Sequence, residues 1–344
     1  MIDKFPPLKH TAYFNTAYVG LMPQALLQFR HAEDQRYFLE GDQYKLDAYA
    51  TLKAKTEHVG NFFGASASET LLVSNFSEAI RFVLSFLPSN MRFLTLEEDY
   101  PSLTKAILEK GFEVVKIPVS GHLEKNIAEA LEKESIDVLA LSVVQYISGL
   151  EIDQEFLHFL KRKYPDLLII GDGTQFLGTA PFSFAQSPFD IIAASGYKWL
   201  MAGFGNGVLF LSEQFLQIAN KSYAQIQERY YVGHFNILAS ASLEKAITLI
   251  EERGFAQMLA QKTALTQILQ AALDDLGLLL PWVAQRKKHS SIFAIPDQNN
   301  RFDRMTQNNI SVAQRGGFIR VSIHFYNSQQ DIETLIDFLK KETF

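Results

Sequence analysis

Between residues 70 and 211 the chain alternates short apolar runs with amphipathic stretches of helix length, and this rhythm restricts the fold more than any other feature. Apolar runs fall at 70–74, 92–96, 112–117, 137–144, 167–170, 191–194 and 208–211. Helical patterns lie between many of them: one ends at Leu87 before Pro88, and others span 103–110, 123–134 and 153–164. Strands that alternate with helices need crossover connections, and crossovers build a parallel sheet covered on both faces. The expected class is α/β. Two helices precede this region, at 23–40 and 44–63, the second closed by Gly64. After residue 236 the rhythm changes to helices at 237–252 and 255–276, a strand at 292–295, a helix at 303–307, strands at 310–313 and 318–323, and a last helix at 329–341. That order reads as α+β. The chain is therefore expected to divide into a large domain over residues 15–236 and a small one over 237–344, with residues 1–14 packing on the small one.

In an open α/β sheet, ligands sit outside the carboxyl ends of the strands. The run at 167–170 delivers Asp172 and Gln175 there, and the run at 191–194 delivers Ser195 and Lys198. An acid, an amide, a hydroxyl and an amine around one crevice suit pyridoxal 5'-phosphate (PLP). A lysine can hold its aldehyde as a Schiff base, and a carboxylate facing the pyridine nitrogen keeps the ring an electron acceptor. An amide can donate to the ring oxygen. A hydroxyl and the amides of a helix N-terminus can bind its phosphate. Asp172 or Lys198 alone would read as an ordinary strand end or a surface lysine; the ordered set points to the cofactor.

Asp172-Gly173-Thr174-Gln175 resembles the Asp-x-x-Gln motif of the class V aminotransferase and cysteine desulfurase superfamily of fold-type I PLP enzymes. Ser195-Gly196-Tyr197-Lys198-Trp199 resembles its Ser-x-His-Lys-Trp motif, with Tyr197 in the histidine position. The run from Arg320 to Asn327 resembles its Arg-x-Ser-x-x-x-Tyr-Asn motif. The resemblance implies a mostly parallel, seven-stranded sheet with helices on both faces and a small C-terminal α+β domain. It implies that Asp172 meets the pyridine nitrogen, Gln175 the ring oxygen and Ser195 the phosphate. Lys198 would be the Schiff-base lysine and the α-proton shuttle, and Arg320 would hold the substrate α-carboxylate. Asn75-Phe76-Ser77-Glu78-Ala79 partly matches the family's phosphate-gripping Gly-Thr-Thr-Glu-Ala, which brings in Phe76 and Ser77. Tyr100 is the candidate ring to stack on the cofactor. Asn15 and Tyr18, in the loop over 13–22, would border the substrate, and Tyr146 stands where the family has an asparagine. The Gly233-His234 loop resembles one that reaches the partner subunit's phosphate, so a homodimer with a shared active site is implied. Apart from the resemblance, Ser77 reads as a helix N-cap, His234 as structural, Arg320 as an edge-strand ion-pair partner and Asn327 as a helix cap.

The formal net charge of −6 gives no basic footprint for nucleic acid. No apolar run approaches the ~20 residues of a membrane span, and the first residues lack an apolar leader, so a cytoplasmic protein is expected. The eight histidines form no metal motif, so no metal is expected. Arg286-Lys287-Lys288-His289 reads as a solvated turn. The chain has no cysteine, which excludes a desulfurase that carries sulfur as a protein persulfide. The favoured activity is a class V aminotransferase acting on an amino acid. A C–S lyase without a persulfide comes second, beside an epimerase like isopenicillin-N epimerase. The non-enzyme alternative is an inactive PLP-fold binding protein, which the substitutions at Tyr146, Tyr197 and His234 permit. Retention of Lys198, Asp172, Gln175 and Arg320 argues against it.

Overall fold

The structure, a computed structural model, describes residues 4–286 and 288–341. A 3-10 helix (Pro6–Lys9) precedes strand β1 (Ala12–Tyr13), which is followed by helices α1 (Gln24–Glu40) and α2 (Asp42–Phe62). The alternating region then gives β2 (Thr70–Val73), α3 (Phe76–Leu84), β3 (Arg92–Leu96), α4 (Pro101–Glu109), β4 (Glu113–Ile117), α5 (Leu123–Lys133), β5 (Val138–Ser142), α6 (Gln154–Lys163), β6 (Leu168–Asp172), β7 (Ile191–Ser195) and β8 (Gly207–Leu211). These strands form one seven-stranded sheet in the order β2-β8-β7-β6-β5-β3-β4. β3 to β7 pair in parallel, and β8 is antiparallel to both its neighbours. The expected α/β sheet is present.

Alternation along each strand sends its residues into two separate cores. Leu168, Ile170, Ile191, Ala193 and Leu209 pack beneath the apolar stripe of α3, which is Phe76, Ala79, Ile80, Val83 and Leu84. That i, i+3, i+4, i+7 spacing makes one helix face apolar. Ile169, Ile192 and Ala194 face the other way, onto buried residues of α1, α2, α5 and α6 such as Leu26, Val59, Ile127 and Leu157. No helix among the described residues is long and apolar enough to cross a membrane.

Two helices after β8, α7 (Glu213–Ala219) and α8 (Tyr223–Tyr230), lie where no element was expected. A Ser222–Gln225 capping box starts α8. Its work is to cover β2, a sheet edge. The Tyr231 hydroxyl meets both Leu72 N and Leu72 O at 3.2 Å, and the Tyr230 hydroxyl accepts from Ser74 N at 3.0 Å. An open edge is a pairing hazard, and these phenols occupy it.

Helices α9 (Ile237–Arg253), α10 (Phe255–Asp275) and α11 (Pro281–Ala284) lead to β9 (Ile292–Pro296), α12 (Arg301–Gln307), β10 (Ile310–Ser311), β11 (Ala313–Arg315), β12 (Phe318–Ser322) and α13 (Gln329–Lys341). The strand expected over 310–313 is split: β10 pairs in parallel with β1, while β11, β12 and β9 form an antiparallel sheet. β12 is the central strand there, so Arg320 is not on an edge. Behind this sheet Phe14, Leu269, Phe293, Val321 and Leu335 share a third core. The turn expected to be solvated is also corrected. Arg286 bonds both Glu124 carboxylate oxygens, at 2.6 and 3.1 Å, and the partly buried His289 ring stacks on Phe293, while Lys288 is exposed as expected; Lys287 lies outside the described residues.

Candidate active site

The lysine loop is set by a ladder. β7 and β8 close on Ser195 opposite Gly207, so the segment between them is pinned at both ends. Lys198 in that loop is buried, and its amine makes no hydrogen bond or ion pair with another described residue. It faces the rings of Tyr197, at 5.5 Å, and Tyr100, at 6.0 Å. Burial, then the charges of Arg320 and Arg315, pull the amine down to about 7 against the opposing pull of Asp172. On the neighbouring parallel strand, Asp172 is buried and accepts from Thr174 N at 2.8 Å. Burial pushes its carboxyl up, and the charge of Asp99 adds to this. The structure thus brings the sequence's acid and amine to adjacent strand ends, close enough to influence each other.

A candidate phosphate cradle adjoins them. Phe76 N, the first amide of α3, donates to Ser195 Oγ at 3.0 Å. A helix N-terminus with a hydroxyl beside it is suited to an anion. Asn75, not Ser77, caps α3: its side chain accepts from Glu78 N. Ser77 instead donates to Ser102 Oγ at 2.8 Å. The Tyr100 ring lies between those of Phe76 and Tyr146, at 6.2 and 5.6 Å.

Gln175 is already engaged. Its amide donates to Ala17 O and its oxygen accepts from Trp199 Nε1, both at 2.8 Å. One amide proton is left for a cofactor oxygen. The same loop is fastened again at Gly20, whose N donates to Tyr197 O at 3.0 Å. A Cβ at Gly20 would stand 1.8 Å from the Lys198 carbonyl oxygen, so only glycine permits this approach. Asn15 Nδ2 donates to Val312 O, and its Oδ1 is buried without a partner. Tyr18 is half exposed, with the Arg315 guanidinium 4.8 Å over its ring.

Arg320 is buried, and its Nη1 donates to Tyr146 O at 2.7 Å while its Nε has no partner. No carboxylate lies within ion-pair distance of it among the described residues, so the ion-pair reading fails. Asn327 does not cap α13. It accepts from His324 N and donates to Tyr13 O, while Ser328 and Asp331 exchange bonds at the helix start. Gly233 and His234 are not brought into their own chain's crevice: His234 Nδ1 lies 3.0 Å from the Tyr49 hydroxyl.

Two residues here were not foreseen. Asp99, fully buried, accepts from Tyr100 N, Ser142 N and Ser142 Oγ and so ties the Tyr100 loop to β5. Arg315 sits before Gly316-Gly317, both at positive φ. A Gly-Gly pair between strands is a hairpin signal that could have placed it.

An unpartnered buried amine, a buried carboxyl one strand away and a helix N-terminus beside Ser195 fit PLP. The Aminotransferase class-V family model matches residues 31–335. The chain belongs to the class V aminotransferase family. A relative named a probable cysteine desulfurase, from Pyrococcus abyssi (strain GE5 / Orsay), is 23% identical over 98% of this chain and 95% of its own length. A solved mutant of C-DES, with glycine covalently linked to its PLP cofactor, superposes with a TM-score of 0.87 at 17% identity, covering 98% of both chains. The complex of the cystine C–S lyase C-DES with its product cysteine persulfide gives 0.85 at 16% identity, over 97% of this chain and 98% of that one. This class V chain accordingly has the fold-type I architecture and is a PLP-dependent enzyme.

Proposed function

We propose that this class V enzyme is an aminotransferase acting on an amino acid, with Lys198 carrying the α-proton. The observation behind this reading is a buried lysine just past the end of β7, one strand from the buried Asp172 and beside the Ser195–Phe76 N contact; burial and the charge of Arg320 pull its amine down to about 7. PLP, when bound, supplies an aldehyde for the substrate amine and a ring that accepts electrons. The rest belongs to the chain. Arg320 offers two-point binding to an α-carboxylate, which sets the α-hydrogen toward Lys198. Lys198, neutral above about pH 7, would accept that proton at Nζ and, once protonated, give it back, acting as base and then acid. Asp172 holds the proton on the ring nitrogen. Ser195, Phe76 N and Ser77 hold the phosphate, Gln175 the ring oxygen, and Tyr100 covers the ring. Asn15, Tyr18 and Tyr146 border the substrate.

The absence of cysteine supports the second reading, a C–S lyase. If the chain handles the sulfur substrates that its relatives' names describe, it has no thiol to keep the sulfur and must release it. The exposed Tyr37, Phe38, Leu39 and Leu46 on α1 and α2, and the Gly233-His234 loop outside its own crevice, support a homodimer whose loop completes the partner's site.

The test is a single-turnover experiment on PLP-loaded protein. One equivalent of keto acid per site, and recovery of the starting spectrum with a second keto acid, is the expected result. Repeated release of sulfide and pyruvate without any acceptor would favour the lyase. Protein that takes up no PLP, or a Lys198→Ala variant that turns over at the native rate, would refute both.

A further inference from the structure

Arg315 has no role in the reading above, yet it is built into the same crevice. In the β11–β12 hairpin, Ala313 pairs with Arg320 and Arg315 with Phe318. Residues two apart on a strand share a face, and so do directly paired ones. Arg315 and Arg320 therefore stand on one face as diagonal neighbours, about 7–8 Å apart at the backbone. The residue facing Arg320 across the pair is Ala313, which leaves room between them. Two cations at that spacing oppose each other, and no carboxylate lies within ion-pair distance of either among the described residues. Arg315 is instead steadied by the Tyr18 ring, 4.8 Å away, and by a bond from Nη1 to Gln314 O. The hairpin tip is seated on the Tyr146 loop: a Cβ at Gly316 would stand 2.8 Å from the Ile147 side chain. So the hairpin, the Tyr18 loop and the Tyr146 loop hold an unneutralised second guanidinium on the face that carries Arg320. Its charge is felt by Lys198, Arg320 and Tyr146 alike.

We infer that Arg315 is a specificity residue that binds a second acidic group, so the substrate is an amino acid whose side chain ends in a carboxylate. The inference rests on the reading of Arg320 as the holder of the α-carboxylate. It assigns Arg315 the distal anion, with Tyr18 as the platform that keeps the guanidinium aimed inward.

The test compares glutarate with valerate, acids of equal carbon number that differ by one carboxylate. Both are titrated by calorimetry into PLP-loaded and cofactor-free protein, as wild type, Arg315→Met and Arg315→Lys, with circular dichroism to verify folding. Wild type should bind glutarate about tenfold or more tightly than valerate, the worth of one charge-assisted contact. Arg315→Met should remove that preference, and Arg315→Lys should keep part of it. Equal affinity for the two acids, binding of neither, or equal weakening of both by Arg315→Met would overturn the inference. A glutarate preference that survives in protein unable to take up PLP would uphold Arg315 while refuting the PLP reading; PLP chemistry that runs equally on acidic and neutral amino acids would do the reverse.

Discussion

Replacing Gln175 with leucine tests how the site is held together. Gln175 stands between Ala17 O and Trp199 Nε1, at 2.8 Å from each, and all three residues are buried. Leucine leaves a buried carbonyl and a buried indole N–H without partners. Each orphaned group costs ~1–3 kcal/mol, so the loss is ~2–6 kcal/mol. Leucine's own apolar burial returns ~1–2 kcal/mol, which centres the net cost near ~3 kcal/mol. Trp199→Phe removes one of the two orphans together with its donor. The double variant should therefore be less destabilised than the sum of the singles by ~1–2 kcal/mol. Urea denaturation of cofactor-free protein followed by far-UV circular dichroism reads this in all four proteins of the cycle, since the signal does not depend on Trp199. A Gln175→Leu cost below ~0.5 kcal/mol, the range of an ordinary surface change, or strict additivity with Trp199→Phe, would refute the claim that this amide ties the loop over 13–22 to the lysine loop.

Two further outcomes follow from the same geometry. Lys198 is lowered to about 7, so its amine is neutral above that pH, and only the neutral amine attacks an aldehyde. Capture of PLP by cofactor-free protein, followed by absorbance, should accelerate through pH 7 and level off by about pH 8.5, and Arg320→Met should move the inflection upward; a rate still climbing toward pH ~10, as for an ordinary lysine, would contradict the assigned environment. Gly20→Ala puts a Cβ 1.8 Å from the Lys198 carbonyl oxygen, so one of the two loops must move. PLP affinity measured by fluorescence titration should fall by about tenfold or more, equivalent to ~1.4 kcal/mol, and unchanged affinity would show that the two backbones do not meet.

What was legible in the sequence was what local pattern encodes. Strand ends carrying Asp172 and Ser195 follow from apolar run lengths, and both sit where the runs placed them. Arg320 on a strand of the α+β region followed from alternation, though the antiparallel pairing and its central position did not, because strand order depends on pairing with Ile292–Pro296. Long-range partners were not legible. Gln175 reads as a free amide until Ala17, 158 residues away in sequence, is seen against it. The phenols of Tyr230 and Tyr231 look like loop packing until the edge of β2 is placed beneath them. Ser77 reads as the cap of α3 on paper, but the helix begins two residues earlier than that reading requires, and Asn75 caps it. Arg286 in a basic cluster looked solvated because Glu124, which neutralises it, lies 162 residues earlier.

The short strap from Ala12 to Gly20 has a consequence for synthesis. It pairs with Ile310 and Ser311, receives a bond from Asn327, and meets Gln175 and Tyr197. During translation it leaves the ribosome roughly 300 residues before its last partners, which at ~5–20 residues per second is a wait of about 15–60 s. Over the last third of that interval, once β8 is out, the seven-stranded sheet has all its strands, while the strap has nothing to dock on at the C-terminal sheet. The crevice around Lys198 is thus finished only when residues 310–327 are out. A ribosome that stops before Asn327 releases a sheet with an unclosed crevice, so Lys198 is enclosed only in chains in which the segment from Ile310 to Asn327 has been made.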